Sequence, residues 1–196
     1  MIEKFIEWDK ELLLYLNSMH NHFFDFIMYW ISYKFIWIPF YLFLIYLIIK
    51  KYKIRTIDVL ICVAVLITIS DTISVQCFKD VFHRLRPCQD PTLKSLIHLV
   101  YGECGGLYGF VSSHAANTFA LAFFLIQIIG KDYKYLTIGM IIWAAVVSYT
   151  RIYLGVHYPF DVLCGAILGA LIGVAVGKFF NWYYKRFVQN KVLGVN

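Results

Sequence analysis

Long apolar runs separated by short polar loops set the pattern of this chain. Five of them recur, at about Phe35–Ile49, Thr56–Phe78, His114–Ile129, Tyr135–Tyr149 and Pro159–Phe180. A membrane-spanning helix needs roughly 20 such residues. The first run is short for that and is read as extending backwards through Lys34. Residues 2–16 follow another rule. Ile2, Phe5, Ile6, Leu12, Leu13 and Leu16 recur at helical spacing against Glu3, Lys4, Glu7, Lys10 and Glu11,. That pattern predicts an amphipathic helix, lying in the membrane interface or packed on its own bundle. Asn17–Asn21 breaks the pattern, and the aromatic stretch Phe23–Tyr33 predicts a short interfacial or re-entrant piece. The expected fold is all-α: one domain over residues 1–196, a polytopic membrane bundle of about five transmembrane helices with an N-terminal amphipathic interfacial helix.

Within the fifth run Gly165, Gly169, Gly173 and Gly177 stand four residues apart. A row of that spacing lies on one helix face and lets a neighbouring helix approach closely, so it predicts packing rather than chemistry. Asp71 is the one acid deep in a run, eight residues before Lys79. Two helical turns separate them by about 12 Å along the axis, too far for a direct pair. A hydrogen bond from Asp71 to a neighbouring helix is the expectation.

Composition agrees with the pattern. The chain is 61% hydrophobic, 19% aromatic and 15% charged, with a mean hydropathy of +0.68, far more apolar than a soluble domain. Its formal charge of +6 sits mainly in short loops and a tail, without the continuous basic stripe a nucleic acid would require,. Residues 1–11 are too charged for a cleavable signal core, so the spans themselves are expected to direct insertion. The loops Lys50–Arg55 and Lys131–Lys134 and the tail Lys185–Lys191 fall on one side of a five-span chain. By the positive-inside rule that side is cytoplasmic. The N-terminus and the long irregular stretch Lys79–Ser113 then face the periplasm or exterior, in the inner (cytoplasmic) membrane of a Gram-negative cell.

Chemistry concentrates on that opposite side. Arg151, His157 and Asp161 lie within eleven residues between two apolar runs, where charge is costly and function is the default reading,. Lys79 and Arg86, and Ser112, Ser113 and His114, flank the long loop between the second and third runs. Arginine's planar fork and lysine's compact charge suit phosphate oxygens. The backbone N–H groups of Ser113 and His114 stand at a helix start, which favours an anion, while Ser112 serves as phosphate donor, N-cap or both. Asp161 is either an orienting carboxylate for His157 or a first-turn acid capping the last helix. The zinc-type Cys-x-x-Cys pair is absent and no metal-ligand motif appears. His20, His22, His83 and His98 look unclustered with acids or cysteines and read as interfacial or structural. Cys62, Cys77 and Cys164 read as buried hydrophobes. Cys88 and Cys104, alone outside the apolar runs and on the oxidising side, are expected to form a disulfide across the long loop.

Three spaced segments together resemble the signature of the type 2 phosphatidic acid phosphatase (PAP2) superfamily. They are Lys79 and Arg86-Pro87; Val111-Ser112-Ser113-His114; and Thr150-Arg151 with His157 and Asp161. Every spacing matches, with Val111 for proline, Ser113 for glycine and Thr150 for serine. The resemblance implies a metal-independent lipid phosphate phosphatase without cofactor. Lys79, Arg86, Ser112, Ser113 and Arg151 would hold the phosphate. His157 would be the nucleophile forming a phosphohistidine, His114 the general acid, and Asp161 the orienting partner. Partners would be the bilayer and a membrane lipid phosphate, with no nucleic acid and no obligatory protein partner. Among substrates undecaprenyl diphosphate is favoured, with lipid A, phosphatidylglycerophosphate and phosphatidic acid as alternatives. A vanadate-dependent haloperoxidase has a similar site but is a larger soluble protein. An anion or lipid transporter using the same cations only to hold phosphate is the non-enzyme alternative.

Overall fold

A computed structural model of the chain describes residues 2–189. Among these residues eight α-helices follow one another: α1 (Ile2–Ser18), α2 (His22–Ser32), α3 (Ile38–Tyr52), α4 (Thr56–Thr72), the single turn α5 (Asp80–Phe82), α6 (Ser113–Ile129), α7 (Lys134–Tyr153) and α8 (Pro159–Tyr183). No β-strand occurs among the described residues beyond one bridge between Leu85 and Tyr108. Among the described residues three helical runs are long and apolar enough to cross a membrane: Lys34–Phe82, Lys134–Tyr153 and Pro159–Val188. Helix α6 is apolar and shorter. The first run turns at Lys53–Arg55 and supplies both α3 and α4.

Helix α6 lies at the centre, packed on α8, α7 and α4. Leu44, Leu66, Phe124, Leu125, Met140, Trp143 and Phe180 close the main core around it. The glycine row explains the closest contact. Gly165 faces the Ser112 carbonyl and Ala115, Gly169 faces Ala116, Gly173 faces the Ala120 carbonyl, and Gly177 faces Gln127. A Cβ at any of them would collide with α6, so the sequence makes both helices small where they meet. Outward residues such as Phe43, Tyr46, Ile61, Ile142, Ile167 and Leu171 stay exposed and apolar, as lipid-facing positions must.

The two ends of the bundle differ. At one end Lys51 Nζ donates to the Ile128 carbonyl at 2.6 Å and to Asp132, while Tyr52 packs on Phe180 and Tyr184. The turns at Lys50–Arg55 and Lys131–Lys134 and the end of α8 therefore gather there, as the charge pattern predicts; Lys191 of the tail lies outside the described residues. The three motif segments meet at the other end.

Helix α1 packs on the ends of α7 and α8. Its buried face is Asp9, Leu13 and Asn17, at four-residue spacing. Asn17 is fully used: its Nδ2 donates to the carbonyls of His98 and Tyr153, and its Oδ1 accepts from His98 N at 2.8 Å. Phe5, Trp8, Leu12 and Tyr15 form a second, exposed apolar stripe. The helix thus docks on its own bundle, as one of the two sequence readings has it, and still offers lipid an apolar face. Helix α2, capped by Asn21 Oδ1, leans on α7 through Asp25, whose Oδ1 accepts from Tyr153 Oη at 2.8 Å.

Glycine substitutions separate packing from propensity. Gly169→Val should destabilise by about 1–3 kcal/mol through overpacking, while Gly139→Ala, with nothing within 4 Å of its Cβ position, should be neutral or stabilising by up to about 1 kcal/mol. Thermal unfolding in detergent reads both; equal transition temperatures for the two variants would contradict the close contact.

Candidate active site

The site assembles from four pieces of chain. Beyond α4 the helix winds more widely, as a π-helix over Ile73–Lys79, a form that concentrates at functional positions. This winding replaces the regular α-geometry assumed for the two turns between Asp71 and Lys79. Asp71 does meet a neighbouring helix, with Asn117 Nδ2 donating to its Oδ1 at 3.4 Å. Lys79 Nζ donates to Ser113 Oγ at 2.6 Å, and Ser113 Oγ sits 2.7 Å from Ser74 Oγ. Serine in place of glycine at 113 therefore adds a tether for the lysine.

Arg86 is framed by the long loop. Its Nε donates to the Tyr108 carbonyl and its Nη1 to the Cys104 carbonyl, each at 3.3 Å, and its backbone N–H donates to the Leu107 carbonyl. Cys88 and Cys104 are joined in a disulfide with Cα atoms 5.9 Å apart, as their positions predict. The bond restrains the loop that surrounds Arg86. Gly105, at φ +81°, presses on the Arg86 guanidinium. Gly109 is wedged tighter still. A Cβ there would lie 3.2 Å from Arg86 Cγ, 3.2 Å from Asp161 Oδ2 and 3.5 Å from His157 Nδ1.

Helix α6 begins at the site. Ser112 is fully buried and caps it, accepting from Ala115 N at 3.5 Å, so its hydroxyl faces the helix in this structure. Its own N–H donates to the Asp161 carbonyl at 3.0 Å, tying the starts of α6 and α8 together. His114, in the first turn, lines a cavity of about 400 Å³ with Arg151, Ser32, Tyr33, Lys34 and Glu103. Arg151, in the last turn of α7, donates through Nη1 to Ser32 Oγ and keeps a buried Nε without a partner.

His157 sits in the turn between α7 and α8, 1% exposed. Its Nδ1 has no hydrogen-bond partner and lies 3.5 Å from Asp161 Oδ2. Asp161 is placed for both readings the sequence leaves open. Its Oδ2 accepts from Tyr158 N at 3.1 Å and so caps α8, while the same oxygen faces His157. Burial pushes the His157 imidazole well below its ordinary pKa, and the charges of Arg86, Arg151 and Lys79 push further. The charges of all three cations thus act on one buried, neutral imidazole. The arrangement can take up an anion between the cations and present it to a ring nitrogen.

Several residues here carry no motif signal. Arg84, two before Arg86, donates to Asp161 Oδ1 at 2.7 Å and to Asp9 Oδ2 at 2.6 Å. Asp9, Ser32, Lys34, Ser74 and Gly109 come from distant segments, and only the four-residue spacing Asp9–Leu13–Asn17 hints at a buried helix face. The histidine reading needs correction. His98 Nε2 lies 3.0 Å from Asp25 Oδ2, and the His20 ring stacks on His98 with centroids 3.6 Å apart and planes 8° from parallel. The long loop folds back over the α1–α2 junction, which local sequence cannot reveal. The parallel rings aim their in-plane lone pairs alongside each other rather than at a shared point. The trio braces the junction, away from the cation cluster.

Comparison with known proteins agrees with the motifs and geometry. Residues 59–185 match the family described as the PAP2 superfamily. The chain is 38% identical over 175 residues to the lipid A 4'-phosphatase of Bacteroides thetaiotaomicron, spanning 88% of this chain and 77% of that one. Over 188 residues it is 32% identical to the lipid A 4'-phosphatase of Porphyromonas gingivalis, with 95% and 79% covered. Its fold is similar to that of the transmembrane PAP2-type phosphatidylglycerolphosphate phosphatase from Bacillus subtilis. That structure superposes with a TM-score of 0.67 at 21% identity, over 94% of this chain and 89% of that one. Sequence, fold and cation cluster converge: the chain belongs to the PAP2 superfamily of phosphatases, as a multi-pass membrane member.

Proposed function

We propose that this protein removes a phosphate monoester from the headgroup of a lipid A-type glycolipid at the outer face of the cytoplasmic membrane, through a phosphohistidine and without a metal. The carrying observation is the convergence of Lys79, Arg86 and Arg151 on buried, neutral His157, with Asp161 behind it. Three cations offset the charge of a phosphate dianion in a site that burial makes electrostatically strong. With Nδ1 facing Asp161, Nε2 is the attacking nitrogen. It forms a bond to phosphorus as the lipid alkoxide leaves with a proton from His114. Water then attacks phosphorus, His114 takes its proton, the P–N bond breaks, and inorganic phosphate departs. Asp161 offsets the positive charge on the imidazole while phosphorus is attached.

Two features support an amphiphilic substrate. Lys34 lines both the cavity holding His114 and Arg151 and an apolar groove of about 410 Å³ between α3, α4, α6 and α7, where Leu44, Ile48, Ile67, Leu121 and Trp143 lie. A headgroup and its hydrocarbon therefore find adjoining surfaces. The charged turns at the opposite end favour an outward-facing site. Choice of lipid rests on the Bacteroides and Porphyromonas relatives, which match most of the chain and are both named for lipid A. They move the preference from undecaprenyl diphosphate, favoured on location alone, to lipid A.

Purified protein in detergent with excess EDTA should release phosphate from lipid A faster than from undecaprenyl diphosphate, phosphatidylglycerophosphate or phosphatidic acid. Loss of activity on chelation with rescue by Mg²⁺ would overturn the mechanism; a faster rate on another lipid would overturn the substrate. His157→Ala should remove turnover yet still bind inorganic phosphate, whereas Arg151→Ala should weaken both.

The depressed His157 pKa also has a stability consequence. The unfolded imidazole takes a proton as pH falls through about 6.5, while the folded one does not, so acidification destabilises the fold,. The slope cannot exceed about 1.4 kcal/mol per pH unit for one proton. Between pH 7 and 5 the melting temperature should therefore fall more steeply for the unsubstituted protein than for His157→Gln. Parallel curves would show that His157 does not titrate in this way.

A further inference from the structure

Arg84 stands outside the phosphate cradle, yet it joins three separate parts of the structure at the back of the catalytic pair. We propose that Arg84, held by Asp9 of α1, is a positioning residue that fixes Asp161 and through it the His157 imidazole; the inference rests on the phosphatase reading of this site.

Asp161 is fully buried, and its two oxygens divide their work. Oδ1 accepts from Arg84 Nη1 at 2.7 Å, while Oδ2 accepts from Tyr158 N at 3.1 Å and faces His157 Nδ1 at 3.5 Å. Held at both oxygens, the carboxylate cannot rotate away from the imidazole. Arg84 is in turn pinned. Its Nη2 donates to Asp9 Oδ2 at 2.6 Å, and its guanidinium carbon lies 3.9 Å from the centroid of the Tyr158 ring. Asp9 is 6% exposed, and its second oxygen accepts from Phe160 N at 3.0 Å. Tyr158 Oη donates to Asp90 Oδ2 at 3.1 Å, and Lys10 pairs with the same oxygen at 2.9 Å.

The charges give Asp9 a role beyond anchoring. When both carboxylates are ionised, Asp9 and Asp161 set two negative charges against one from Arg84, which leaves one net negative charge behind His157. An imidazole attached to phosphorus carries positive charge, so that residual charge favours the intermediate over the resting state. Without Asp9, Arg84 would be free to fork onto Asp161 with both Nη atoms and neutralise it. Without Arg84, two carboxylates would share a buried space with no cation between them, and Asp161 would lose its fixed orientation.

A cavity of about 570 Å³ reaches Arg84 and Asp9 from the side away from the cradle, lined also by Phe5, Phe110 and Phe160. It provides a route for a small cation, and so for a chemical test. In phosphate-release assays on lipid A and dioctanoyl phosphatidic acid, Arg84→Ala should lower kcat about 100-fold with KM changed less than about threefold. Arg84→Lys should recover part of the loss. The double variant Arg84→Ala/Asp161→Asn should be no slower than the slower single variant, because both act through one path. Guanidinium ion at millimolar concentration should raise kcat of Arg84→Ala and leave the double variant unchanged. Multiplying losses in the double variant, or a raised KM at intact kcat, would overturn the assignment and make Arg84 a structural or phosphate-binding residue. Should Arg84→Ala fail to fold, Asp9→Asn keeps the arginine and should lower kcat about tenfold at constant KM; an unchanged kcat there overturns it too. A protein releasing no phosphate from any lipid would instead defeat the phosphatase reading. The ¹⁵N signal of His157 Nδ1 still decides in that case: it should shift in Arg84→Ala, and an unmoved signal refutes the positioning role.

Discussion

Keeping ionised groups at the end of an apolar bundle is the constraint on which this structure depends. A carboxylate or guanidinium taken out of water costs several kcal/mol unless other charges and hydrogen bonds replace the solvent. Asp161 shows how closely that demand is met. The carboxylate has an arginine on one oxygen and a backbone N–H on the other. The cations of the cradle are treated differently. Arg151 keeps a buried Nε with no partner, and Arg86 makes long contacts to carbonyls rather than pairing with a carboxylate. Acids are satisfied from within, and cations are left under-satisfied. That asymmetry suits an anion-binding site, where a bound anion would supply the missing partner.

Such a site needs rigid walls, and the α6–α8 contact provides the first. Small residues bring the two helix backbones together along Gly165, Gly169 and Gly173. At the top of this seam Ser112 N–H donates to the Asp161 carbonyl. The starts of both helices are therefore fixed relative to each other, and with them His114 and Asp161. The second wall is the loop. Its disulfide and the positive-φ Gly105 hold Arg86, while Gly109 lets the backbone lie between Arg86, Asp161 and His157 with no side chain to displace them.

How far the sequence reveals this depends on the range of each interaction. Helix runs, the glycine face and the capping position of Ser112 are local patterns, and the helices stand where periodicity puts them. The cradle residues were legible because three spaced motifs carry them. Arg84 was not, although it lies within the first motif: arginine two residues from another arginine looks like a solvated charge until Asp9 and Asp161 arrive from 75 and 77 residues away. His98 and Asp25, 73 residues apart, were hidden for the same reason. The π-helical winding that ends at Lys79 has no compositional mark either; the run of Ile, Ser, Val, Gln, Cys, Phe and Lys is equally compatible with an α-helix.

Helix α1 turns these observations into a statement about membranes. Its buried face supplies Asp9 to the arginine behind the catalytic pair and Asn17 to the ends of α7 and the loop. The opposite stripe of Phe5, Trp8, Leu12 and Tyr15 is exposed, with Lys4 over the Trp8 ring at 5.5 Å. Aromatic and apolar residues of this kind settle at the boundary between headgroups and hydrocarbon. One short helix therefore joins an apolar face suited to the interface with the charge network beside His157. A soluble phosphatase could fix the same carboxylate with any buried arginine. In the proposed phosphatase the arginine is held by a helix suited to the membrane interface, so the bilayer that would deliver the lipid would also support the geometry that acts on it.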